Sequence, residues 1–183
     1  MTLASQEGDR NVRRATVFLA ALALLLTTAA PASANNDPHR TFLPAAPFDL
    51  PGGTGGICAF PVHVAFPDNN EYGTTSTLPD GSTLLKVTGT SFMSATNLNT
   101  GKMLIANTSS EGTYTYLTDG VTVIGNFHGP SWLEAPNQTA FGFPSNFVVV
   151  AGSVLLTLNS TTGEYISLSG HQHVLIDVCA ALS

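Results

Sequence analysis

Phe147–Leu158 reads FVVVAGSVLLTL, a run with no charged residue. A helix is a poor host for it. Three consecutive valines lose side-chain freedom against the preceding turn, and Gly152 costs a further amount. Branched side chains fit a pleated strand better. An apolar run of this length without alternation reads as a strand covered on both faces, and a glycine inside a strand marks a bend, here at Gly152. Thr161-Thr162-Gly163-Glu164 follows as a turn, with Gly163 free to adopt the positive φ that tight turns require.

The same signals recur upstream. Phe60, Val62, Val64 and Phe66 alternate with Pro61, His63 and Ala65, and Val121, Val123 and Phe127 alternate with Thr122, Ile124 and Asn126. Pro79-Asp80-Gly81-Ser82, Asn99-Thr100-Gly101-Lys102 and Thr118-Asp119-Gly120 separate further β-like runs. The predicted strands are 57–66, 73–78, 82–88, 91–98, 102–107, 113–117, 121–128, 147–158, 164–168 and 173–179, with almost no helix in the domain. About ten short strands separated by turns imply a single all-β domain, an antiparallel β-sandwich or a closed β-barrel.

The N-terminus reads as an address. Arg10, Arg13 and Arg14 precede the apolar run Ala15–Ala30, and Ala32-Ser33-Ala34 supplies small residues for cleavage. This is the layout of a secretory signal peptide, residues 1–34, and the run is short of the roughly 20 apolar residues a membrane span needs. Residues 35–56 carry four prolines and the run Gly52-Gly53-Thr54-Gly55-Gly56, and read as a Pro/Gly-rich linker ahead of a β domain over 57–183. The glycine run lacks the Lys-Ser/Thr of a phosphate loop, so no cofactor is expected.

The full chain of 183 residues has a net charge of −6, and three of its six basic residues lie in the signal peptide. Residues 35–183 keep six Asp, four Glu, two Lys and one Arg, a net of −7. So acidic a domain excludes a general nucleic-acid binder. Its two cysteines, Cys58 and Cys179, argue for one disulfide closing almost the whole domain, as expected of a secreted chain; two free thiols are the alternative.

Cys58-Ala59-Phe60-Pro61-Val62, Thr96-Asn97-Leu98-Asn99-Thr100-Gly101-Lys102 and Asp177-Val178-Cys179-Ala180-Ala181-Leu182 stand together behind the signal peptide and linker. In this combination the chain resembles small exported β-rich actinobacterial proteins of unassigned function, over Cys58–Ser183. The resemblance implies export and a β domain, and it supplies no catalytic residues.

Candidate chemistry is sparse. His171 and His173 stand at i and i+2 of a predicted strand and so share a face, which can begin a zinc or copper site. A third ligand would come from His63, His128 or Asp177; the plainer reading is two surface histidines. The stretch Gly129–Asn146 is the longest irregular segment and holds Trp132, Glu134, Phe141 and Phe143 beside His128. Long loops of this kind often bind ligands, although the plainer reading is that these aromatics cap the open end of the core. Tyr114 and Tyr116 share a strand face suited to cross-strand packing. Asn107, Asn137 and Asn159 each open an Asn-x-Ser/Thr sequon. No Gly-x-Ser-x-Gly elbow and no telling carboxylate pair occurs, so catalytic residues remain unknown and an enzyme is disfavoured.

The expected function is a secreted, non-catalytic β domain that binds an extracellular protein, glycan or small molecule, or the cell envelope. The alternative is a small barrel enzyme or ligand carrier with an interior site. A polar, hollow interior lined by residues such as His63, Thr88, Thr122 or His128 would distinguish the second from the first.

Overall fold

The computed structural model describes residues 40–183; the predicted signal peptide and the first residues of the linker lie outside that range. The described chain is all-β. Its strands are β1 (Thr41–Phe42), β2 (Phe48–Leu50), β3 (Val62–Thr77), β4 (Thr83–Asn97), β5 (Met103–Asn107), β6 (Glu111–Tyr116), β7 (Thr122–His128), β8 (Ser131–Glu134), β9 (Phe147–Asn159) and β10 (Tyr165–Asp177). A 3-10 turn spans Gln138–Phe141, and the helix α1 (Val178–Leu182) ends the chain.

All ten strands join one antiparallel sheet in the order β1-β3-β4-β6-β7-β9-β10, with β2 on β3, β5 on β4 and β8 on β9. The sheet is not closed among the described residues. The predicted strands 57–66 and 73–78 merge into β3, which starts only at Val62; 82–88 and 91–98 merge into β4; and 164–168 and 173–179 merge into β10, with Val178 and Cys179 in α1 instead. Each contains a local irregularity that resembles a turn in sequence. In β3 an extra residue shifts the register between Ala65 and Asp68. In β4 and β10 the positions are Gly89 (φ 138°) and Gly170 (φ 131°), which keep the register with β3 and β9. Bulges and strand glycines bend a sheet without ending it.

The four turn glycines behave as the sequence predicts. Gly81, Gly101, Gly120 and Gly163 all have positive φ, between 72° and 86°. Asp80, Asn97, Asp119 and Asn159 brace the same hairpins by accepting backbone N–H bonds two or three residues on.

β4 and β9 each change neighbours partway. Thr83–Val87 pairs with β6, then Phe92–Thr96 with β5. Phe147–Val150 pairs with β8, then Ser153–Asn159 with β7. The second switch is at Gly152 (φ 112°), whose carbonyl accepts from the Gly129 N–H at 3.0 Å. The bend predicted at Gly152 is therefore where the sheet trades one partner for another.

β9 is covered on both faces over its first half. Phe147 and Val149 enter one apolar cluster with Val62, Val64, Met93 and Ala95, closed by Leu50 and by Val178 and Leu182 of α1. Val148 and Val150 enter a second cluster with Phe127, Val154, Leu156 and Tyr165. Past Gly152 only one face is covered, and Leu155 is 46% exposed.

The disulfide is present: Cys58 and Cys179 are bonded, with Cα atoms 5.4 Å apart. It ties the segment entering β3 to α1. The Pro/Gly stretch read as a linker folds onto the domain from residue 40 on: β1 and β2 pair with β3, and Leu50 is buried. Its prolines left only two- and three-residue strands, too short to read as periodic.

Candidate functional site

His171 and His173 are both exposed on β10, sharing a face as predicted. The proposed third ligands each have a hydrogen-bond partner of their own. His63 Nδ1 lies 2.6 Å from Asp49 Oδ1, His128 Nδ1 lies 2.9 Å from Ser153 Oγ, and Asp177 caps α1 by accepting from the Ala180 N–H at 3.0 Å. Among the described residues no group of three or more His, Cys, Asp or Glu side chains is placed to hold a metal.

The stretch Gly129–Asn146 contains β8 and the 3-10 turn, and its aromatics face inward. Trp132 lies on β8 against Phe48, Phe66 and Phe147, with ring centroids 6.1–6.2 Å away. Phe141 packs edge-on to Tyr165 at 6.1 Å, and Phe143 is buried in the second cluster. Trp132 thus belongs to a core, and its place is set by strand alternation in a segment too short to read as a strand.

Beneath this segment lies a set of polar groups, of which the sequence singled out Glu134 and Tyr114 but not Gln138 or Tyr165. Gln138 is fully buried, and neither atom of its amide has a hydrogen-bond partner. Glu134 Oε1 is also buried without a partner, and burial pushes its carboxyl up to about 7. Tyr165 donates a long hydrogen bond, 3.5 Å, to the Glu134 carbonyl. Burial raises the Tyr165 phenol well above its ordinary range, reinforced by the Glu134 carboxylate. Tyr114 lies 4.9 Å from the Phe127 ring, and burial raises its phenol strongly too, with Tyr116 and Glu71 adding to the shift. Unpaired buried polar groups are rare in folded proteins, because each forfeits its hydrogen bonds to water.

The residues expected to make an interior polar do not line either cluster. His63 keeps 42% of its side chain exposed and His128 is exposed. Thr122 donates to Asp119 Oδ2 at 2.6 Å in a turn. Thr88 borders a surface hollow.

That hollow has a volume of about 260 Å³ and is lined by Arg40, Tyr72, Thr74, Lys86 and Thr88. Direct pairing places Tyr72 opposite Thr88 and Thr74 opposite Lys86 on β3 and β4. The Arg40 guanidinium lies over the Tyr72 ring, 4.8 Å from its centroid, and donates to Thr88 Oγ1 at 2.7 Å. Phe42 meets the same tyrosine edge-on at 5.7 Å. The described residues hold three basic side chains, Arg40, Lys86 and Lys102, so two of the three meet here. No carboxylate lines the hollow, and the single ion pair among the described residues is His63–Asp49. Sequence reasoning missed the site because Arg40 sits in the presumed linker, distant from Lys86 in the chain.

Cross-strand pairing also aligns Glu111, His128, Ser153 and His171 in one row across β6, β7, β9 and β10. Ser153 and His128 are in hydrogen-bond contact, and Glu111, His128 and His171 are exposed. Among the described residues no helix is long and apolar enough to cross a membrane. No family model, no curated protein and no solved structure matches this chain.

Proposed function

We propose that this protein is a secreted, non-catalytic binding module whose ligand is an anionic, hydroxyl-rich polymer of the cell envelope or its surroundings. The observation that carries this reading is the meeting of Arg40 and Lys86, without a carboxylate, on an otherwise acidic domain. Two cations, a tyrosine face and threonine hydroxyls suit a carboxylate or phosphate carried on a polyol. A guanidinium already oriented by Thr88 and Tyr72 loses little freedom on binding. Secretion is supported by the signal-peptide pattern and by the disulfide, which favours an oxidising compartment. Of the two expected architectures we read a sandwich, because the first cluster draws on β3–β5 and on β8–β9, which do not pair with each other.

The test is a calorimetric titration of the exported chain with oligogalacturonate, a glycerol-phosphate oligomer and neutral oligogalactose. Binding of an anionic probe, lost at high salt and in Arg40→Gln and Lys86→Gln, is expected. Equal binding of the neutral oligomer, or affinity unaffected by both substitutions, overturns the reading.

A second reading, an interior small-ligand carrier, is favoured by the unpartnered Gln138 amide and Glu134 Oε1. It predicts that an uncharged ligand co-purifies with the protein and is released on unfolding.

A further inference from the structure

β10 is the last strand of the sheet, and among the described residues it pairs with β9 alone. Beyond Tyr165, whose backbone N–H and carbonyl are taken by the Asn137 side chain, its other edge is open as far as Ile176. Proteins usually blunt such an edge with lysine, proline or a covering segment. This edge has neither charge nor proline from Tyr165 to Ile176, and Ile166, Val174 and Leu175 on it are 60%, 38% and 51% exposed. Register with β9 is unbroken from Ser167 opposite Thr157 to Val174 opposite Val150, so the central part of the edge is regular.

His171 and His173 lie in the middle of this regular stretch, exposed and on one face. One chain therefore offers two imidazoles with no third ligand in place. Zinc takes three or four protein ligands. The geometry points to a zinc site shared between two copies of this chain, formed when β10 pairs antiparallel with β10 of a second copy about a two-fold axis at Gln172.

The register follows from symmetry. With Gln172 opposite its own equivalent, His171 stands opposite the partner subunit's His173, and His173 opposite the partner subunit's His171. Directly opposed side chains on antiparallel strands have Cβ atoms ~5 Å apart, and i, i+2 neighbours on one strand are ~7 Å apart. Four imidazoles then stand in a compact square on one face, matching the coordination number of zinc. A self-complementary contact of this kind closes on itself as a dimer. A short length of paired edge buries little surface, so the metal supplies most of the association energy, and the dimer depends on it. Zinc binding here is independent of the hollow at Arg40 and Lys86.

The test is the mass of the purified protein by light scattering, with and without zinc chloride, beside a calorimetric titration with zinc alone. A one-chain mass without zinc, a two-chain mass with it, and one zinc per two chains are expected. His171→Ala and His173→Ala each remove both the mass change and the heat, while His128→Ala leaves both intact. Val174→Lys on the open edge abolishes the dimer without touching a ligand. All these positions are exposed, and circular dichroism checks that the variants fold. Zinc binding with the mass unchanged, one zinc held per single chain, or a zinc-driven dimer that survives both histidine substitutions overturns the proposal.

Discussion

The side chain of Asn137 pairs with the backbone of Tyr165 as a neighbouring strand would. Its Nδ2 donates to the Tyr165 carbonyl at 2.8 Å, and its Oδ1 accepts from the Tyr165 N–H at 2.9 Å. This two-point contact fastens the segment between β8 and β9 to the start of β10, across the second apolar cluster. Asn137→Ala is expected to cost about 2–3 kcal/mol, two hydrogen bonds plus the penalty for the backbone groups left unpaired. Asn137→Asp, which keeps the acceptor alone, should fall between. Urea unfolding midpoints read both. A loss below ~0.5 kcal/mol in the alanine variant would mean that the segment is held by Phe141 and Phe143 alone.

The same contact engages the amide nitrogen of one of the three sequons. Asn107 and Asn159 likewise use their side-chain oxygens to brace turns.

Phe127 lies across two glycines, Gly125 of its own strand β7 and Gly112 of the neighbouring β6. A Cβ on Gly125 would meet the Phe127 ring at 2.5 Å, and one on Gly112 would meet the ring at 2.8 Å and the Asn126 carbonyl at 2.4 Å. Gly125→Ala should therefore destabilise by about 1–3 kcal/mol through overpacking. Combining it with Phe127→Leu should cost less than the sum of the two single changes, since the smaller side chain yields the space. Strict additivity in thermal unfolding would show that the clash is relieved elsewhere.

The sequence made the β class, the glycine turns, the Gly152 bend and the cysteine pairing legible, because each is written in neighbouring residues or in a simple count. It did not make legible the joining of β3, β4 and β10 into long strands, because a bulge and a turn share the same local residues. Nor did it reveal the hollow, where Arg40 meets Lys86 only through the pairing of β1 with β3 and of β3 with β4. Trp132 was conspicuous as the lone tryptophan, yet its role is packing. Gln138, a polar residue in a loop, gave no sign that the fold would bury it.

The Cys58–Cys179 bond closes a loop of 121 residues. In the chain-entropy account, a loop of that length stabilises the folded state by about 4–5 kcal/mol. The doubly substituted Cys58→Ser, Cys179→Ser protein should unfold at a markedly lower temperature, and reductant should lower the wild-type midpoint to match. Val178 and Leu182 sit on α1 in the first cluster, so that helix should detach first, read by faster amide exchange at the C-terminus. Equal midpoints for the reduced and oxidised protein would show that packing alone holds α1.

Glu134 gives the pH dependence a definite sign. Its folded-state carboxyl titrates near 7, raised from an ordinary 4.5 by burial. Between those values the folded state holds a proton that the unfolded state has released, so stability declines as pH rises through the window. A shift of that size corresponds to about 3 kcal/mol, most of it lost between roughly pH 5 and 7.5. Glu71 shifts in the same direction through burial and adds a smaller slope of the same sign. Asp119, lowered chiefly by the Thr122 hydroxyl and then by backbone N–H groups, acts only in stronger acid, below this window. Comparing wild type with Glu134→Gln isolates the Glu134 contribution, because the other groups are common to both. The variant should be more stable at pH 7.5, and the difference should shrink towards pH 5. A difference that is constant with pH would mean that the carboxyl keeps its charge, held by water or by a ligand drawn to the unpaired Gln138 amide.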